Sequence, residues 1–111
     1  SPKRHPATRG WMEVPMLDRR QIERLRSDLG HAELKKIANL FAAEARETLA
    51  TLSTERDPDH RDMHLHGLCG SARTLGLSSL AAACQRGESA AELGRRVEQS
   101  LAAFAALTRV R

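Results

Sequence analysis

The sequence predicts an all-α fold, an antiparallel up-and-down four-helix bundle with a short extra N-terminal helix. Three observations carry that prediction. Ala, Leu, Glu and Arg dominate the 111 residues while aromatics make up 3%, so helix formers abound and the aromatic and β-branched residues of strands are scarce. Apolar residues recur at three- and four-residue spacing in several separate stretches, the period of one helix face. Short Gly- or Pro-bearing segments divide those stretches, and short connections make neighbouring helices antiparallel. A chain of this length buries one core and not a second. We divide it into a flexible tail or linker at residues 1–15 and a helical bundle domain at residues 16–111.

The tail holds Pro2, Pro6 and Pro15 together with Gly10, and each proline removes a backbone donor and restricts the residue before it. Trp11 and Met12 are its candidates for packing back onto the bundle. The first helix opens with Asp18 as N-cap and carries Ile22, Leu25 and Leu29 up to Gly30. The second runs from about His31 to about Thr54, with Leu34, Ala38, Phe41, Ala45, Leu49 and Leu52 on one face. Asp57-Pro58 breaks that pattern, and Asp57 or Asp59 caps a third helix whose stripe is Leu65, Leu68, Ala72 and Leu75, with Gly76 as its C-terminal cap. A fourth helix begins at Ser78 or Ser79 and shows Leu80, Ala83, Cys84 and Ala91, weakened by Gly87. The last helix carries Leu93, Val97, Leu101, Phe104 and Thr108. Gly94 marks a bend before it, and residues 88 to 93 fit either helix.

Of the formal net charge of +4, the tail holds +2 through Lys3, Arg4 and Arg9 against Glu13, which leaves +2 for the other 96 residues. Arginines alternate with glutamates along the helices and no stacking set of aromatics is present, the pattern of a solvated surface rather than a nucleic-acid site. No apolar run reaches the length of a membrane span, and no apolar segment follows a basic start in signal-peptide order. The expectation is a soluble, cytoplasmic segment. Cys69 and Cys84 form neither a paired metal spacing nor a disulfide framework, so both are expected as free thiols.

The third helix carries the chemistry. His66 lies roughly 130° from the centre of the leucine stripe and Gly70 almost opposite it, so both face solvent. An interior glycine costs a helix about 1 kcal/mol relative to alanine, and this helix contains Gly67 and Gly70. Close helix packing is one explanation; because Gly70 faces away from the core, we favour room for an approaching partner. If the third and fourth helices turn back at Gly76 and Leu77, residues equidistant from the turn share a height, which pairs His66 with Glu88 and Cys69 with Cys84. Glu88 would then accept a hydrogen bond from His66 Nδ1 and leave Nε2 as an outward-facing nucleophile. An ordinary surface glutamate near an ordinary surface histidine is the competing reading.

Two other chemistries fit poorly. His60, His64, His66 and Cys69 are potential metal ligands, but His64 and His66 point roughly 160° apart on a helix, and the one pair a turn apart, His60 and His64, supplies only two donors. A Cys69–His66 hydrolytic pair would lack oxyanion donors within a continuous helix.

The run His66-Gly67-Leu68-Cys69-Gly70-Ser71-Ala72-Arg73-Thr74-Leu75-Gly76, followed by Leu80, Cys84 and Glu88, resembles the histidine phosphotransfer (HPt) domain of phosphorelay two-component systems. In that family the helix reads His-x-x-Lys-Gly-Ser-Ala/Ser-x-x-Leu-Gly. The likeness extends from about Leu17 to the C-terminus, since the Asp28-Leu29-Gly30 turn and the Phe41 helix also sit where the family has them. It implies that His66 is the phosphoacceptor, that Gly70 lets a receiver domain come close, and that Glu88 orients the imidazole. Two residues depart from the pattern. Cys69 stands where most members have a lysine near the phosphoryl group, and Gly87 replaces a bulky apolar residue.

The resemblance therefore implies a phosphorelay intermediate, a phosphohistidine carrier rather than an autonomous enzyme. It would take a phosphoryl group on His66 from a receiver-domain aspartyl phosphate and pass it to another receiver domain. Partners would be response-regulator receiver domains and a hybrid sensor histidine kinase. No bound cofactor is expected, because Mg²⁺ and a lysine come from the receiver. Losing the lysine at position 69 removes a cation that would steady the phosphohistidine, and Arg73 or Arg86 is spaced to replace it in part. Met63, Arg73 and Leu77, with Cys69 and Gly70, are the expected phosphate- or partner-binding residues, apolar anchors and a cation suited to an acidic partner. Cys69 also raises an alternative: a binding-only module that docks a receiver domain or kinase without phosphotransfer.

Overall fold

The computed structural model describes residues 15–109. The expectations for residues 1–14, including those for Trp11 and Met12, lie outside the described residues. Among these, five helices and no strand are present: α1 (Arg19–Leu29), α2 (His31–Thr54), α3 (Pro58–Thr74), α4 (Ser78–Gln85) and α5 (Ala90–Leu107).

Local chemistry sets each boundary. Asp18 Oδ1 accepts from the Gln21 backbone N–H at 3.1 Å and starts α1; Asp57, rather than Asp59, caps α3 by accepting from Asp59 N–H at 2.9 Å, with Pro58 in the first turn. Both satisfy donors that have no partner within the helix. The α3–α4 turn is a Schellman cap. Gly76 takes φ +78°, its N–H donates to Arg73 O at 3.1 Å, and Leu77 N–H donates to Ala72 O at 2.8 Å, so two orphan carbonyls are satisfied and Leu77 is carried into the core.

Gly87 repeats the device at φ +71°, with Gly87 N–H on Cys84 O at 3.1 Å and Glu88 N–H on Ala83 O at 3.3 Å. It therefore ends α4 instead of weakening it, and Glu88 lies in the connection beyond the helix. Ser89 then caps α5, its hydroxyl accepting from Glu92 N–H at 3.2 Å. Ala91 and Gly94 both belong to α5, so no bend marks Gly94; a Cβ there would make only ordinary contact with Leu49 Cδ1, 3.9 Å away.

Sequential helices α2, α3, α4 and α5 pack side by side and α5 returns against α2, which closes a ring of four; α1 packs on α2. Leu34, Phe41, Leu68, Leu80, Leu93, Val97 and Phe104 are among the buried residues that fill it. On the outside, Arg46 grips Glu98 through two bonds of 2.8 and 2.9 Å, joining α2 to α5.

The turn after the histidine helix is anchored by α1. Asp18 N–H donates to Gly76 O at 2.8 Å, Gln21 Nε2 donates to Thr74 O at 2.9 Å, and Ser79 N–H donates to Met16 O at 3.3 Å. Ile22, 1% exposed, lies so close that a Cβ on Gly76 would stand 2.9 Å from its Cγ1. The end of α3 is thus held by backbone and side chain together.

Candidate functional site

The leucine stripe turns α3 as its spacing requires. Leu68, Ala72 and Leu75 are buried and Leu65 is half-buried, whereas His66 and Gly67 are exposed and Gly70 is half-buried. A Cβ built on Gly70 or on Gly67 would have no atom within 4 Å beyond the helix itself. Neither glycine serves helix packing. The space above His66 is open, and its floor is backbone.

Arg73 lies two turns beyond His66, exposed, with its guanidinium folded back along the helix. Its Nη2 donates to Cys69 Sγ at 3.2 Å. Met63, one turn before His66, is 61% exposed. It borders a groove of about 320 Å³ between α2 and α3 whose other lining residues include Glu44, Glu47, His64, Gly67 and Ser71. This acidic groove beside the histidine escaped the sequence reading, although Glu44 falls on α2 one turn from Phe41 and Leu40 and Glu47 one turn further on, where a helical wheel could have found them. A larger cleft of about 520 Å³ between α2 and α5 contains none of the expected site residues.

Three expectations require correction. Glu88 does not hold the imidazole: among the described residues no hydrogen bond joins it to His66. Its Oε1 accepts from Arg96 Nε at 2.7 Å, and its Oε2 accepts from Arg86 Nη2 at 2.6 Å and Arg96 Nη2 at 3.2 Å. The Arg96 bonds, with a further contribution from Arg86, hold the carboxyl below its ordinary range against the opposing effect of burial. Because α4 ends at Gln85, Glu88 leaves the helical register that would have kept it facing α3. The missed partner is Arg96, eight residues on, brought back by the Gly87 turn and the Ser89 cap.

Leu77 is 0% exposed and cannot form part of a docking face, since the Schellman cap drives the residue after Gly76 inward. Cys69 is 7% exposed. Its Sγ lies on the α4 side, donating to Ala81 O at 3.6 Å, so it offers the exposed face no phosphate-binding group. The height matching of the two cysteines does hold. Cys84 is buried and free like Cys69, and its thiol is pushed up to about 12, first by burial, then by the neighbouring Cys69 and by Glu88.

No helix among the described residues is long and apolar enough to cross a membrane. The family model described as the Hpt domain matches residues 36–110, a span that takes in most of α2 and all of α3, α4 and α5, and with them His66, Gly70 and Arg73. No curated protein and no solved structure matches the chain.

Proposed function

Because the chain belongs to the Hpt domain family, which carries out histidine phosphotransfer in phosphorelays, we propose that His66 accepts a phosphoryl group from a receiver-domain aspartyl phosphate and passes it to a second receiver domain. The observation that carries this reading is the exposed imidazole beside Gly70, over open space, on a helix whose far side is core.

The Nε2 lone pair attacks phosphorus, the N–P bond forms as the acyl phosphate O–P bond breaks, and the aspartate leaves as a carboxylate. The reverse displacement delivers the group to the next receiver. Such a transfer is governed by positioning and charge neutralisation. The fold contributes the positioning: the α3–α4 turn is fixed by α1, so the face of α3 is presented as a rigid surface. Met63 and Arg73 flank the histidine as receiver contacts, one apolar and one cationic, and Gly70 admits the partner. The ring of four helices and its short connections support an antiparallel up-and-down bundle, with the domain beginning near residue 16. The segment acts in the cytoplasm, where receiver domains and a hybrid sensor kinase would meet it.

Incubation with a phosphorylated receiver domain tests this reading. Acid-labile, base-stable phosphate is expected on the wild type and absent from His66→Gln. Label that persists in His66→Gln overturns the site, and receiver binding without any label on the wild type replaces phosphotransfer with the docking-only module.

A further inference from the structure

We propose that Arg73 is the chain's own cation for the phosphoryl group on His66, stored on the Cys69 sulfur when the histidine is unmodified and moving onto the phosphoryl oxygens when it is not. The inference rests on His66 being the phosphoacceptor.

Three features of the structure converge on it. Side chains on a helix lean toward its N-terminus, so Arg73 covers the turn below it, and the bond to Cys69 Sγ at 3.2 Å shows its guanidinium there. One helical turn rises about 5.4 Å, so the guanidinium, held at Cys69, stands about one turn from the His66 backbone, whereas the Arg73 backbone stands about two turns away. Gly70 lies between the two on the same face, and nothing stands within 4 Å of where its Cβ would be. The gap is bounded by His66 at one end and Arg73 at the other.

The storage site is weak by design of its chemistry. A thiol sulfur is a poor acceptor compared with a carboxylate or phosphate oxygen, and among the described residues Arg73 makes no ion pair. Leaving Cys69 therefore costs the guanidinium little, while two phosphoryl oxygens match its planar fork. Arg86 and Arg96 are in a different position, since both already bind the Glu88 carboxylate. A phosphoryl group carries close to two negative charges at neutral pH, and a cation on its oxygens draws protons away from the imidazole ring, whose protonated form loses phosphate fastest.

The test uses phosphoramidate, a small phosphodonor from which the imidazole displaces ammonia, so that no partner protein enters the measurement. Loss of phosphohistidine is then followed by ³¹P NMR. Arg73→Ala should shorten its lifetime about three- to ten-fold, the size expected of a solvent-screened charge-assisted contact, and Arg73→Lys should restore much of it. Salt should shorten the wild-type lifetime and leave that of Arg73→Ala unmoved, a difference that a purely structural role would not produce. If His66 is labelled and the two proteins release phosphate at one rate, the role of Arg73 is refuted and His66 stands. If the folded wild type takes no label on His66, the phosphoacceptor assignment and this inference both fall.

Discussion

Arg96 Nε donates to Glu88 Oε1 at 2.7 Å across the α4–α5 connection, and Arg86 Nη2 binds the other oxygen at 2.6 Å. The carboxylate ties the connection to α5 and leaves the imidazole of His66 to itself. Glu88→Ala is therefore expected to lower stability by about 1–2 kcal/mol, since it strips a mostly buried acceptor from two arginines. Phosphorylation of His66 by phosphoramidate should proceed at the wild-type rate. Urea unfolding and initial labelling rates measure the two effects separately, and a slowed labelling rate would return Glu88 to the imidazole.

Acid should erase the same contribution. The Arg96 and Arg86 bonds lower the Glu88 pKa in the folded chain, so the carboxylate stabilises the fold at pH values above the unfolded carboxyl pKa of about 4.3 and loses that effect as pH falls through its folded value. The urea midpoints of wild type and Glu88→Gln should differ at pH 7 and draw together below about pH 4. A gap that is constant with pH would mean the arginines do not discriminate between the two forms.

The two glycines of the turn and the helix should respond in opposite senses. Gly76→Ala meets both φ +78° and Ile22 Cγ1 at 2.9 Å, and a loss of about 2–4 kcal/mol is expected from backbone strain plus overpacking. Gly70→Ala meets open space within a helix and should raise stability by up to about 1 kcal/mol. The added bulk of Gly70→Gln should nonetheless slow transfer from a receiver domain while sparing labelling by phosphoramidate. Thermal melts and the two labelling assays distinguish fold from docking.

Much of this fold is legible in the sequence because its boundaries are chemical. Asp18, Gly30, Asp57-Pro58 and Gly76 each mark a helix end by cap or turn, and the stripe Leu65, Leu68, Ala72, Leu75 suffices to send His66 outward. What escaped depends on the backbone leaving the helical register. Gly87 reads as a weak spot in a helix on propensity alone, whereas its positive φ makes it a terminus, and that shift carries Glu88 away from α3 and toward Arg96. Leu77 follows the same logic, since counting it onto the exposed face assumes that α3 continues through Gly76. Cys69 lies close enough to the stripe that its burial depends on how near α4 approaches.

The paired thiols offer a check on the core. Cys84 is 5% exposed with its thiol raised to about 12, so its reactive thiolate is scarce, and Cys69, 7% exposed, is shielded by burial. Iodoacetamide at pH 8 should modify neither at an appreciable rate until the chain is unfolded, when both react together. Rapid native labelling of Cys69 alone would show that α3 and α4 separate there.

Mapping the phosphoryl group after transfer from a phosphorylated receiver domain identifies the side chain that accepts it. Tandem mass spectrometry at neutral to basic pH should place phosphate on His66 and on none of the other four of the chain's five histidines. Phosphate on His60 or His64 instead, with His66 unmodified, would contradict the account.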